Sequence, residues 1–118
     1  FPSIPLPYEP VQDRNRPDIC IGTDEFHTPQ WLTTGLSESL SNLGYSVLVD
    51  TPFGGTITPS EFYKSEKRVF SAMIEINRSL YMDEKSSART QKYEKVQSDI
   101  YSVLSEISKE FKNVVVAA

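Results

Sequence analysis

The chain has 118 residues, enough for one domain or part of a larger one. Its net charge of −4, with twelve Lys and Arg scattered among sixteen acids, argues against nucleic acid as a partner. No run approaches the roughly 20 apolar residues of a membrane span, and a single cysteine excludes an internal disulfide and favours a reducing, cytoplasmic setting.

Residues 1–17 carry five of the eight prolines and read as an extended loop. Phe1 opens this loop with neither a basic leader region nor an initiator Met, so a processed, trimmed or partly observed chain is expected. Asp18–Gly22 is a short apolar run closed by glycine, a buried strand. Thr28-Pro29 predicts an N-cap followed by proline at the first helical position. Trp31, Leu32, Leu36, Leu40 and Leu43 then follow at helical spacing, with Gly44 as the stop. Tyr45–Val49 is a second strand, so strand, helix and strand form a βαβ unit with parallel pairing.

Thr51-Pro52-Phe53-Gly54-Gly55-Thr56 is a turn suited to close backbone approach. Residues 59–67 form a polar connection with a short helical turn, and 69–77 the third strand. A long helix is predicted from Ser86 or Ser87, one of which caps it, to about Phe111, with Val96, Ile100, Val103, Leu104, Ile107 and Phe111 on one stripe. Val114–Ala118 reads as a strand or helix end cut short. The fold class is α/β, a small mostly parallel or mixed sheet flanked by helices. The organisation is a loop over 1–17, a sheet region over 18–84 and a helix over 85–111. A sheet buried on both faces with so few strands implies a fragment, or a chain that needs a partner.

Glu75 stands inside what reads as a buried apolar strand, Val69–Asn77. An ionised carboxylate out of water is costly unless it is paired, ligates a metal or transfers a proton. Arg78, three residues on, points to the opposite face of an extended strand, so the partner of Glu75 is expected outside this segment. His27 beside Asp24 and Glu25 reads as a loop residue ahead of the helix, because one short loop cannot converge three metal ligands. Cys20, between Ile19 and Ile21, reads as a small buried hydrophobe; a thiol enzyme would have to use His27, the only histidine, as its base. Tyr63 and Tyr81 could reach a substrate as hydrogen-bond donors, but aromatic packing is the default reading, and Asp83-Glu84-Lys85 reads as the solvated start of the long helix. Asp50 ends a strand on the side where α/β sheets bind ligands.

Three segments, Asp18–Thr23, Asp50–Thr58 and Ile74–Glu84, in this order, resemble the carboxy-terminal half of the N-formylglutamate amidohydrolases. The resemblance runs over about residues 18 to 110, roughly half of a family member. It implies a zinc carboxypeptidase-like fold and a bacterial zinc hydrolase that cleaves N-acyl amino acids, releasing formate and glutamate from N-formylglutamate. In such enzymes one zinc, held by two histidines and a glutamate of the amino-terminal half, polarises the amide and activates water. One of those histidines lies in an Asp-x-His-Ser motif followed by a segment like Phe1-Pro2-Ser3, so no metal ligand of the family is expected here and no zinc on this chain alone.

By motif position Glu75 is the general base. Arg78 is either a clamp for the substrate carboxylate or a structural ion pair. Gly54 and Gly55 either line the pocket with backbone N–H groups or serve a tight turn needing positive φ. The partners implied are a small N-acyl amino acid, a complementing N-terminal half, or a second copy of the chain. The alternative function is a catalytically silent binding or assembly module of the same half-fold.

Overall fold

A computed structural model describes residues 1–117. Strand β1 spans Ile19–Gly22, helix α1 Gln30–Asn42, strand β2 Val47–Val49, strand β3 Met73–Ile76 and helix α2 Tyr93–Ala117. The three strands form one sheet in the order β2-β1-β3. β1 pairs parallel to β2, Cys20 opposite Leu48, as a βαβ unit requires. β3 pairs antiparallel to β1, with Cys20 opposite Glu75 and Ile19 opposite Ile76, so the sheet is mixed.

The alternation of side chains along a strand explains the layering. Ile19 and Ile21 point to one face and pack with Leu32, Leu36 and Leu40 of α1 and Val103 of α2, with Trp31, Phe70, Ile74, Ile100 and Ile107 around them. Cys20, with Leu48 and Glu75 beside it in register, points to the other face. No helix covers that face among the described residues. The central strand β1 is buried on both faces, as expected, by the helices on one and by loop residues over Cys20 on the other, whereas β3 is half-buried along its length and β2 is largely exposed.

Helix α1 begins one residue later than its composition predicts. Pro29 occupies the cap position in extended conformation, and Thr28 is diverted: its hydroxyl accepts from the Asp24 amide at 2.8 Å and donates to the Ser71 carbonyl at 2.6 Å. β2 starts at Val47 and not at Tyr45, whose hydroxyl donates to Asp99 at 2.6 Å and ties this corner to α2. Strand β3 is four residues long where 69–77 was expected, because Ser71 bonds back to the His27 carbonyl and the chain leaves the sheet at Asn77.

Helix α2 starts at Tyr93, not at Ser86 or Ser87. The Asp83 carboxylate accepts from the Lys85 and Ser86 amides and the Ser86 hydroxyl, Ser87 has φ +60°, and Met82 pairs with Arg89 across a small hairpin. The serines that read as caps belong to that hairpin. At its other end α2 runs beyond Phe111 through Val114–Val116 to Ala117, which settles those residues as helix; Ala118 lies outside the described residues.

Gly22 ends β1 at a close approach: a Cβ there would lie 2.1 Å from the Gly55 carbonyl oxygen and 3.0 Å from the Met73 side chain. Gly22→Ala is therefore expected to destabilise the chain by about 1–3 kcal/mol, the usual cost of overpacking. Urea unfolding checks it; an unchanged midpoint would mean that the Gly54-Gly55 turn yields freely.

Candidate active site

Glu75 lies near the centre of β3, half-buried, on the face away from the helices. Among the described residues no ion pair reaches its carboxylate. Burial holds the Phe1 ammonium below its ordinary range, with Glu75 and Glu84 opposing that shift and Arg78 and Arg16 adding to it. Two carboxylates and two guanidiniums thus gather where Phe1 meets the end of β3.

Strand alternation stops before Arg78, which opens a 3-10 turn, Arg78–Leu80. Asn77 builds this corner. Its side-chain oxygen accepts from the Ser79 amide at 3.2 Å and the Ser79 hydroxyl at 2.9 Å, and its amide nitrogen donates to the Pro17 carbonyl at 3.2 Å. Arg78 Nε lies 3.4 Å from Glu84 Oε1, too poorly aligned for a hydrogen bond. Glu84 also accepts from the Ser3 amide, at 3.0 and 3.2 Å, and from the Ser3 hydroxyl. Burial pushes the Glu84 carboxyl up, but the Ser3 donors and Arg78 outweigh it and hold the group below the ordinary carboxylate range. Glu84 is a fastener of the N-terminal loop, not part of a solvated helix start.

Above the Cys20–Glu75 row runs the turn 51–55. Cys20 Sγ donates to the Phe53 carbonyl at 3.0 Å. Asp50, in left-handed conformation at φ 53°, accepts from the Thr23 amide at 2.7 Å and the Thr23 hydroxyl at 2.6 Å, locking the ends of β1 and β2 together. Gly55 has φ +84°, a conformation that favours glycine, and Gly54 packs over Asp50. Both glycines are exposed.

Arg16 joins this turn to the N-terminal loop. Its guanidinium lies 5.7 Å from the Phe1 ring and 5.6 Å from the Phe53 ring, donates to the Pro2 carbonyl at 2.9 Å and pairs with Glu9. The Arg16 side chain is 2% exposed. The hydrogen bond from Arg16 holds the Glu9 carboxyl below its ordinary range, against burial. A buried cation is tolerable here because a carboxylate, a carbonyl and two ring faces surround it. Nothing in the sequence distinguishes Arg16 from Arg14. Glu84 carried a weak signal, its place in the segment that resembles the family.

His27 is fully buried, with Nδ1 2.8 Å from the Val69 carbonyl and Nε2 accepting from the Lys64 amide at 2.9 Å. Both ring nitrogens are spent on backbone groups, so His27 can neither activate Cys20 nor ligate a metal without breaking this staple. It is a core histidine where a loop residue was expected. Burial pushes the Cys20 thiol up, away from the reactive thiolate. Tyr63 stacks on His27 at 6.0 Å and Tyr81 meets Tyr93 edge-on at 6.1 Å. An apolar groove of about 360 Å³ is lined by Ile76, Tyr81, Tyr93, Val96, Gln97 and Ile100. It borders α2, and Glu75 is not in its lining. Among the described residues no three His, Cys, Asp or Glu side chains cluster as metal ligands.

The sequence model of the N-formylglutamate amidohydrolase family matches residues 1–82. The chain belongs to the N-formylglutamate amidohydrolase family. Gly54, Gly55, Glu75 and Arg78 all fall inside the match, whereas Glu84 and α2 lie outside it. Among solved structures, the N-formylglutamate amidohydrolase from Ralstonia eutropha JMP134 superposes with a TM-score of 0.71 at 22% identity. The superposition covers 83% of this chain and 35% of that one, so the chain spans about a third of its structural neighbour. That likeness gives the fold. No curated protein matches the chain significantly.

The depressed Glu84 carboxyl fixes a sign. Its contribution to stability is fully present above the unfolded carboxylate value, about 4.3, and is lost as pH falls through the lower folded value. Glu84→Gln should cost roughly 1–2 kcal/mol near neutrality, and the gap from the parent chain should close in acid. Urea midpoints at pH 7 and pH 3 test this; a gap independent of pH would remove the charge from the account.

Proposed function

We propose that the chain is the base-bearing portion of an amidohydrolase of N-acyl amino acids such as N-formylglutamate. One observation carries this reading: a half-buried carboxylate without an ion-pair partner among the described residues, on the open face of the sheet, within the segment matched by the family.

In this reading Glu75 takes a proton from water as the water oxygen bonds to the acyl carbon. The C–N bond then breaks and the same proton passes to the leaving nitrogen, giving formate and glutamate from N-formylglutamate. Arg78, 41% exposed and paired to Glu84 only through Nε, offers the rest of its guanidinium to the substrate carboxylate. Gly54 and Gly55 present backbone N–H groups beside the pocket, a role that the turn geometry of Gly55 leaves open to them. The described residues do not fit the zinc that the resemblance implies, since they form no three-ligand cluster. Zinc is assigned to residues outside the described chain, on a complementing N-terminal half within a zinc carboxypeptidase-like frame, and no step above runs through it. No helix of the described residues is long and apolar enough to cross a membrane, and the lone buried thiol suits a cytoplasmic setting.

Two measurements follow. The purified 118-residue chain is expected to carry no stoichiometric zinc after dialysis; a value near one per chain would mean that its own side chains build a site. In a polypeptide that joins this chain to the metal-binding half, Glu75→Gln is expected to lower kcat by roughly 10²–10⁴-fold with zinc content unchanged. Loss of zinc together with activity would make Glu75 a ligand and remove it as the base.

A further inference from the structure

Arg78 is fixed firmly at its backbone and by a single contact at its head. Its amide donates to the Phe1 carbonyl at 2.8 Å, and its carbonyl accepts from the Tyr81 and Met82 amides at 3.1 and 3.0 Å. The guanidinium has one ion partner among the described residues, Glu84. That contact falls on Nε, which is buried and makes no hydrogen bond. A guanidinium can take a carboxylate in two-bond fashion on its Nε side or on its outer Nη pair. Glu84 stands at the first.

Glu84 is itself held in place. Its carboxylate receives the Ser3 amide on both oxygens, at 3.0 and 3.2 Å, and the Ser3 hydroxyl on Oε2. Its backbone lies in the small hairpin closed by the Asp83 amide on the Ala88 carbonyl at 2.8 Å and by the pairing of Met82 with Arg89. The neighbouring Asp83 turns its carboxylate to the Lys85 and Ser86 amides and is spent there. Ser3 and the hairpin orient Glu84, and Glu84 orients Arg78.

From this chain of contacts we infer that Glu84 is a positioning residue for substrate: it holds Arg78 by the Nε side, so that the outer Nη pair meets a carboxylate of the N-acyl amino acid end-on. The inference deepens the proposed function and rests on its reading of Arg78 as the carboxylate clamp. Glu84 lies outside the segment that the family model matches. Two of its effects oppose each other. Its charge repels an incoming carboxylate, which weakens binding. Its hold on Arg78 removes side-chain freedom that the substrate would otherwise have to freeze, which strengthens binding. With the Arg78 side chain 41% exposed, water and salt screen the repulsion, so the ordering effect wins.

Steady-state kinetics on the polypeptide that joins this chain to the metal-binding half tests it. Arg78→Lys is expected to raise KM for N-formylglutamate about tenfold or more. Glu84→Ala should raise KM about fivefold with kcat changed by less than about twofold, and should add nothing once Arg78 is already lysine. Ser3→Ala keeps the Ser3 amide on Glu84; it should lower stability and leave KM within about twofold. If Glu84→Ala does not fold, Glu84→Gln keeps an acceptor for Ser3, removes the charge that faces Arg78 and should move KM in the same direction. A KM that falls in the Glu84 variants would make Glu84 a repelling charge, and an unchanged KM would leave it a loop fastener alone. Either result, with the Arg78→Lys effect intact, would overturn the inference and spare the clamp. An unchanged KM in Arg78→Lys would remove the clamp reading, and the inference with it.

Discussion

A carboxylate can stand in the middle of a three-stranded sheet only if one face of that sheet stays within reach of water. Both helices pack on the Ile19–Ile21 face, and the strand period of two then sends Cys20 and Glu75 to the opposite side. Much of the architecture follows from this division. The helix face holds the apolar core and supplies the stability of the domain. The other face is spanned by a turn and a proline-rich loop, elements that cover without sealing.

Loops do not pack as helices do, so the open face is fastened by polar groups. Asp50 clips the ends of β1 and β2 through Thr23. Arg16 gathers Phe1, Phe53, Pro2 and Glu9 around one buried charge, and Glu84 holds Ser3 next to Arg78. Each fastener costs desolvation and is repaid by several donors or ring faces acting together, which makes it dependent on its partners. The site is thus rigid at its rim, where these clusters sit, while the carboxylate at its centre keeps no fixed cation among the described residues.

The sequence made the βαβ unit legible because periodicity and glycine punctuation agree there: Leu32, Leu36 and Leu40 recur at helical spacing between two short apolar runs. It misjudged what competing side-chain hydrogen bonds decide. Thr28 has the chemistry of a cap yet spends its hydroxyl on Ser71, and Ser86 serves Asp83 in a hairpin, so α2 begins at Tyr93. Burial was overestimated for Val69–Asn77, because an apolar run cannot tell a strand covered on one face from one covered on two. Glu75 stood out because charge inside such a run is costly. Arg16 did not, because nothing local separates a buried arginine from the exposed one two residues earlier.

These features converge on one division of labour. The face carrying Glu75 is closed on one side by β1 and above by the turn 51–55. On the third side Phe1 flanks β3, held by two backbone hydrogen bonds in parallel register. A base needs surroundings that limit bulk water and a group that binds the substrate, and on this face the turn 51–55 and the Phe1 loop supply part of that cover. In the proposed reaction the carboxylate and its rim belong to this chain, held by the fasteners around Phe1, Arg16 and Glu84. In that reading the ladder that pairs Glu75 with Cys20 holds the base in register with the strand whose other face anchors the core, so packing on one face fixes chemistry on the other.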